Sequence, residues 1–292
     1  MTNYQSTLWG KAGRRFRRQP LAMLGAAILL IIVLSIVFGP LIYTTPIDKI
    51  DFAKATLPPS WEHPFGTNDL GQDLLARVLR GGRISIAVGV FSMLVAIFLG
   101  TLIGAMSGFY GGFVDIMLMR LTDLFLALPQ LPLLLLVVFL FRDAIAGPDL
   151  GIFVLVVLVI GGLNWMSVAR LVRAGFLTVR EMDFITAARA MGAPSWRLIW
   201  IHILPNVISP VIVAATLAVG TAIITESTLS FLGLGFPPDV PTWGRMLYDA
   251  QNFLQFAPYM AIFPGVAIFL TVLSINYIGD GLRDALDPRL RS

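Results

Sequence analysis

Cysteine is absent from the chain, which excludes a disulfide framework, a thiol nucleophile and a cysteine metal site. Lysine occurs only at Lys11, Lys49 and Lys54, and none of the three lies in a G-x-x-x-x-G-K-[ST] frame, so no P-loop can form and ATP cannot be bound that way. The two histidines, His63 and His202, fall in no H-E-x-x-H frame, and no G-x-S-x-G elbow is present; the best-marked zinc and serine hydrolases drop out. Charge is also scarce, at 13% of 292 residues. With 57% hydrophobic residues and a mean hydropathy of +0.83, the chain is too apolar for a soluble domain and has the composition of an integral membrane protein. The formal charge of +4 indicates no nucleic-acid partner, because in a membrane protein the position of basic residues carries the information.

Six apolar runs are long enough to span a bilayer: Leu21 to about Tyr43, Ile84 to about Met106, Phe113 to about Phe141, Gly151 to about Ala169, Val207 to about Leu229, and about Ala257 to Gly279. The expected fold is all-α and polytopic, with six transmembrane helices. Lys11, Arg14, Arg15, Arg17 and Arg18 precede the first run, which is read as a retained anchor rather than a cleaved signal. Assigned by parity, about 13 lysines and arginines fall on the side of the termini and about 7 opposite, placing both termini in the cytoplasm. The connections at 44–83 and 230–256 are then external. In the first of these, Gly66 to Asp69 predicts a turn, and Asp69 to Arg80 predicts a short amphipathic helix on the membrane surface.

Ionisable residues inside the runs are few. Asp115, Arg120 and Asp123 lie in the first turns of the third run, where local pairing at a cytosolic helix end is expected. Pro129 and Pro132 follow them, free backbone carbonyls and mark a span able to bend. Glu226, near the external end of the fifth run, must be paired, wet or protonated. Thr225, Ser227 and Thr228 are its expected donors, and a water- or protein-facing position is expected rather than lipid, with a headgroup-level helix end as the alternative. A proton- or ion-coupled carrier would need more buried acids than this.

One interior polar segment looks built to face another protein, DFITAARAMGAPSWRLIWIHILPN at 183–206. Its first helix is expected to stop at Gly192 in a left-handed cap, with Phe184, Ala187, Ala188 and Met191 on one apolar face. A second helix, with Pro194 and Ser195 at its start, is expected to run to Leu204-Pro205, where proline breaks the pattern. This segment resembles the EAA loop of ABC importer permeases, with Ala187, Ala188, Gly192, Leu204 and Pro205 at the pattern's positions. Thr186 stands where the pattern has Glu, and His202 where it has Ile. FGTNDLGQDLLARVLRGGR at 65–83, the YGG turn at 110–112, FLGLGFPPDVPTWG at 231–244 and GDGLRDALDP at 279–288 are similar to the second (C-type) permease subunit of dipeptide, oligopeptide and nickel importers.

That resemblance implies a type I permease fold. Residues 1–83 would form an N-terminal tail, anchor and external segment, 84–280 the permease core, and 281–292 a cytoplasmic tail. It further implies a heterodimer with a second related permease in the bacterial inner membrane, two ATPase subunits that hold ATP and Mg, and an external solute-binding protein delivering peptide. No cofactor or metal is assigned to this chain, and no covalent chemistry. Asp183, Thr186, Ala187, Ala188, Gly192, Leu204 and Pro205 would couple to the ATPase; Glu226, Pro129 and Pro132 would belong to a pathway or gate. Trp61, Phe65, Phe236, Asp239 and Trp243 would form a contact for the binding protein. Nickel and glutathione remain alternative substrates; a secondary transporter and a non-transporting receptor are the readings from other classes.

Overall fold

A computed structural model describes residues 8–142 and 150–286. Among the described residues the regular elements are helical, apart from one antiparallel bridge between Thr67 and Asp73. Gly147, Pro148 and Asp149, in the connection between the third and fourth apolar runs, and the last part of the tail at 287–292, lie outside the described residues.

Helix α1 (Leu8–Phe16) leads into α2 (Pro20–Ile42), the first span, with Pro20 at its first turn where no amide is needed. Pro40 removes the amide that would bond the Ile36 carbonyl. Arg83 of the following helix supplies the missing donor, with Nε 3.0 Å from Ile36 O and Nη2 2.9 Å from Val37 O. That helix, α3 (Leu74–Tyr110), is 37 residues long and is the spine of the molecule. It packs on α2, α6, α7 and α10.

The structure corrects the reading of 69–80 as a separate surface helix. Asp73 caps α3, accepting from Ala76 N at 2.8 Å, and the helix continues unbroken through position 83 into the second span. The residues before it are held by loop bonds instead. Asp51 N donates to Leu70 O and Thr67 N to Leu57 O, and Gly71 adopts φ +74° against the Asp51 carbonyl, leaving Asp69 to Gly71 outside any helix.

Two spans are broken. Helices α4 (Gly112–Ala127) and α5 (Gln130–Phe141) meet at 89°, at Leu128 and Pro129. Helices α6 (Leu150–Gly162) and α7 (Trp165–Arg180) meet at 42°. The two breaks touch, since Gln130 Nε2 lies 3.2 Å from Asn164 Oδ1 and 3.4 Å from Leu163 O. Four unbroken apolar helices and two bent pairs make up to six spans, in agreement with the sequence.

After α8 (Asp183–Ala190), the short α9 (Ser195–Arg197) passes through a π-helical turn, Leu198–Ile203, into α10 (Leu204–Phe231). The expected break at Pro205 is therefore not a break. The wide turn moves the backbone bond to Leu204 N–Ile199 O, and Pro205 sits in the first turn of α10, where it costs no bond. Helix α11 (Trp243–Ala250) is followed by α12 (Tyr259–Leu286), which extends past 280, so the proposed tail begins inside a helix.

Candidate functional site: a docking face and a mid-span cavity

Helix α8 ends as the sequence predicts. Gly192 has φ +82°, Ala193 N donates to Ala188 O at 3.1 Å and Gly192 N to Arg189 O at 3.0 Å, which closes the orphan carbonyls in a Schellman arrangement. Its faces differ from the expected ones. Ile185 and Ala188 turn inward, where Ile185 packs with Val179, Ile199 and Ile203, while Phe184, Thr186 and Ala187 point outward with Asp183. Met191 is 82% exposed and Trp196 61%. Ala188 thus belongs to the core of the segment rather than to its free face. Sequence spacing missed Ile185 because the i, i+3, i+4, i+7 set was anchored on Phe184 and Met191; the β-branched series Ile185, Ile199, Ile203 was the available signal. The outcome is an apolar outward surface next to small residues, with Pro205 exposed and Leu204 half-buried behind it.

Cross-helix ion pairs brace this end. Arg173 binds Asp115 through Nε at 2.5 Å and Nη2 at 2.6 Å, a bidentate pair to which Ser107 adds a hydrogen bond. Arg170 reaches Asp123 at 2.5 Å, and Arg180 Nη1 donates to Gly108 O at 3.0 Å. The acids of α4 therefore pair with α7, not with Arg120 as expected, because the 16-residue α4 lies alongside α7 at these positions.

At the breaks, α5 and α10 enclose an open cavity of about 240 Å³ lined by Gln130, Leu131, Leu134, Ile224, Thr225, Thr228 and Leu229. Pro129 is the residue before α5 and Pro132 occupies the first turn of that helix; neither is among the lining residues. Glu226 does not face it. Its carboxylate is fully buried inside the subunit, accepting from Ser230 Oγ at 2.8 Å and Ser85 Oγ at 3.1 Å. Ser85 Oγ also accepts from Trp243 N at 3.2 Å, so Glu226 ties α3, α10 and α11 together. Two of the three expected donors differ as well: Thr225 and Thr228 spend their protons on Thr221 O and Ile224 O, one turn back. The acid faces neither lipid nor the subunit surface, because α3 brings a serine from 141 positions away.

Glu226→Gln keeps shape and hydrogen bonding and is expected to leave assembly intact. Glu226→Leu strands two buried hydroxyls at about 1–3 kcal/mol each and should lower the yield of folded protein severalfold. Detergent-solubilised yield and thermal unfolding measure this; equal behaviour of the two variants would show that the network contributes nothing.

On the opposite side, Trp61 is fully exposed and Asp239 is exposed. Phe65 is half-buried, stacked on Phe263 with ring centroids 3.9 Å apart. Phe236 and Trp243, expected in the same surface, are core residues. Trp243 can be buried because its indole N–H finds Val78 O at 3.0 Å.

The family described as "Binding-protein-dependent transport system inner membrane component" matches residues 100–292, and "N-terminal TM domain of oligopeptide transport permease C" matches 7–59. A dipeptide transport system permease protein of Alkalihalophilus pseudofirmus is 40% identical over 97% of this chain and 91% of its own length. A glutathione transport system permease protein of Pectobacterium atrosepticum is 40% identical over 98% and 93%, and an oligopeptide transport system permease protein of Bacillus subtilis 38% over 98% and 91%. Among solved structures, the inward-facing MetNI methionine ABC transporter matches with a TM-score of 0.59 at 18% identity, over 73% of this chain and 98% of that chain, a likeness of fold. The chain therefore belongs to the inner membrane permease subunits of binding-protein-dependent ABC importers.

Proposed function

We propose that this chain forms one half of a peptide translocation pathway, paired with a second related permease. Two cytosolic ATPase subunits, which hold ATP and Mg, dock on α8, and a solute-binding protein docks on the opposite side near Trp61 and Asp239. Residues 1–83 serve as an added anchor and external region beside a core at 84–280, and both termini are cytoplasmic. The observation that carries this reading is the outward surface of α8 with its left-handed Gly192 cap, a rigid apolar handle on a chain without a P-loop. Peptide is favoured by relatives named for dipeptide and oligopeptide transport.

The mechanism follows from two-state energetics. Closure of the ATPase pair displaces α8, and the ion pairs between α4 and α7 carry the displacement into the bent spans. Transport by the reconstituted complex is expected to stop when ATP is withdrawn and to persist when ion gradients are collapsed. Uptake that follows an ion gradient in ATP-free vesicles would instead make this a secondary transporter, and no uptake under either condition would leave the receptor reading.

A further inference from the structure

The cavity between α5 and α10 has an unusual wall chemistry. Its polar residues are Gln130, Thr225 and Thr228, and none of its lining residues is charged. All three have committed their protons elsewhere. Thr225 and Thr228 donate to Thr221 O and Ile224 O, each at 2.8 Å. The Gln130 amide nitrogen faces Asn164 Oδ1 and Leu163 O across the second helix break. What these side chains have left to offer is oxygen: two hydroxyl oxygens with acceptor capacity remaining and the Gln130 carbonyl oxygen. Leu131, Leu134, Ile224 and Leu229 supply the apolar remainder. The site lies where two discontinuous spans meet, the position at which membrane transporters can expose polar groups without opening backbone to lipid.

Bonded in this way, such a wall offers acceptors to N–H groups. A carboxylate would meet only oxygens, and a borderline metal such as nickel finds neither imidazole nor carboxylate nor thiolate. We propose that this cavity is a subsite for the amide N–H groups and N-terminal ammonium of a peptide in transit, with Thr225, Thr228 and Gln130 as its specificity-determining acceptors. The inference rests on the peptide reading above and gives it a residue-level basis on this subunit.

The test compares uptake, in proteoliposomes bearing the whole importer and its binding protein, of a tripeptide pool and of the same pool N-methylated at the second residue. The ratio of the two rates cancels unequal assembly between variants, and the binding protein's own discrimination is common to all of them. Thr225→Val with Thr228→Val keeps volume while removing both acceptors, and the ratio is expected to fall about threefold or more, as lost hydrogen-bond selection requires. The double serine variant, which restores the hydroxyls, should keep the wild-type ratio. Where the double valine variant is inactive, the single Thr228→Val and Gln130→Leu variants supply the ratio. An unchanged ratio in the valine variants, whatever their absolute rate, overturns the subsite and leaves the peptide permease standing. ATP-dependent uptake of neither pool by the wild-type complex overturns the peptide reading together with it.

Discussion

Replacing Gly192 by tryptophan is expected to lower uptake by about tenfold or more while ATP hydrolysis by the assembled complex continues, the loss of a coupling free energy of a few kcal/mol. Two costs combine. The residue has φ +82°, a backbone state that costs an ordinary side chain about 1–2 kcal/mol. Apart from its neighbours in sequence, no described residue places an atom within 4 Å of a Cβ added there, so the indole would project into the space proposed for a docking subunit. Gly192→Asn separates the two, because asparagine tolerates the left-handed region and is smaller; it should retain most of the uptake. Uptake and ATPase activity measured together decide the matter. Wild-type uptake by the tryptophan variant would remove α8 from the docking surface.

Gly104→Val is expected to have a large effect on folding. Gly100, Gly104 and Gly108 recur every fourth residue on α3, and α7 lies directly over them. A Cβ at Gly104 would run into the Ala169 carbonyl oxygen and approach Val172 Cβ to 2.8 Å, while at Gly108 it would lie 2.9 Å from Arg173 O. The obstructing atoms include backbone, which cannot rotate aside, so the helices must separate. Overpacking typically costs about 1–3 kcal/mol. In a bilayer, where close packing rather than burial from water holds helices together, the loss falls on the main helix pair of the fold. The yield of folded protein and its unfolding temperature should drop sharply against Gly162→Val, whose added Cβ meets no described residue within 4 Å beyond its own stretch of chain. Matching behaviour of the two valine variants would show that this close approach is not needed.

How much was legible beforehand depended on the range of the interaction. Hydropathy located every span, because the bilayer imposes one length and one solvent on each run, and the Gly192 cap was legible because a left-handed residue is a local need that glycine meets. Pro129 announced a break in the third span, although its angle of 89° was not readable. The errors came where a partner distant in sequence decided the outcome. Asp73, not Asp69, starts α3, since loop bonds to Asp51 and Leu57 hold the preceding residues. The π turn that absorbs Pro205 could not be read from a proline rule written for isolated helices.

The sequence by itself determined the membrane class, the number of spans, the lack of a P-loop and the position of the polar helical segment at 183–206, all consequences of composition or short-range backbone chemistry. Only the tertiary structure decided which face of α8 stays free, that Asp115 and Asp123 belong to Arg173 and Arg170, and that Trp243 and Phe236 lie in the core. It likewise turned Glu226 away from the cavity toward Ser85, leaving Thr225 and Thr228 to line it. A buried polar group takes whichever partner packing brings within about 3 Å, and that partner is chosen by helix contacts spanning tens of residues, which no local pattern encodes.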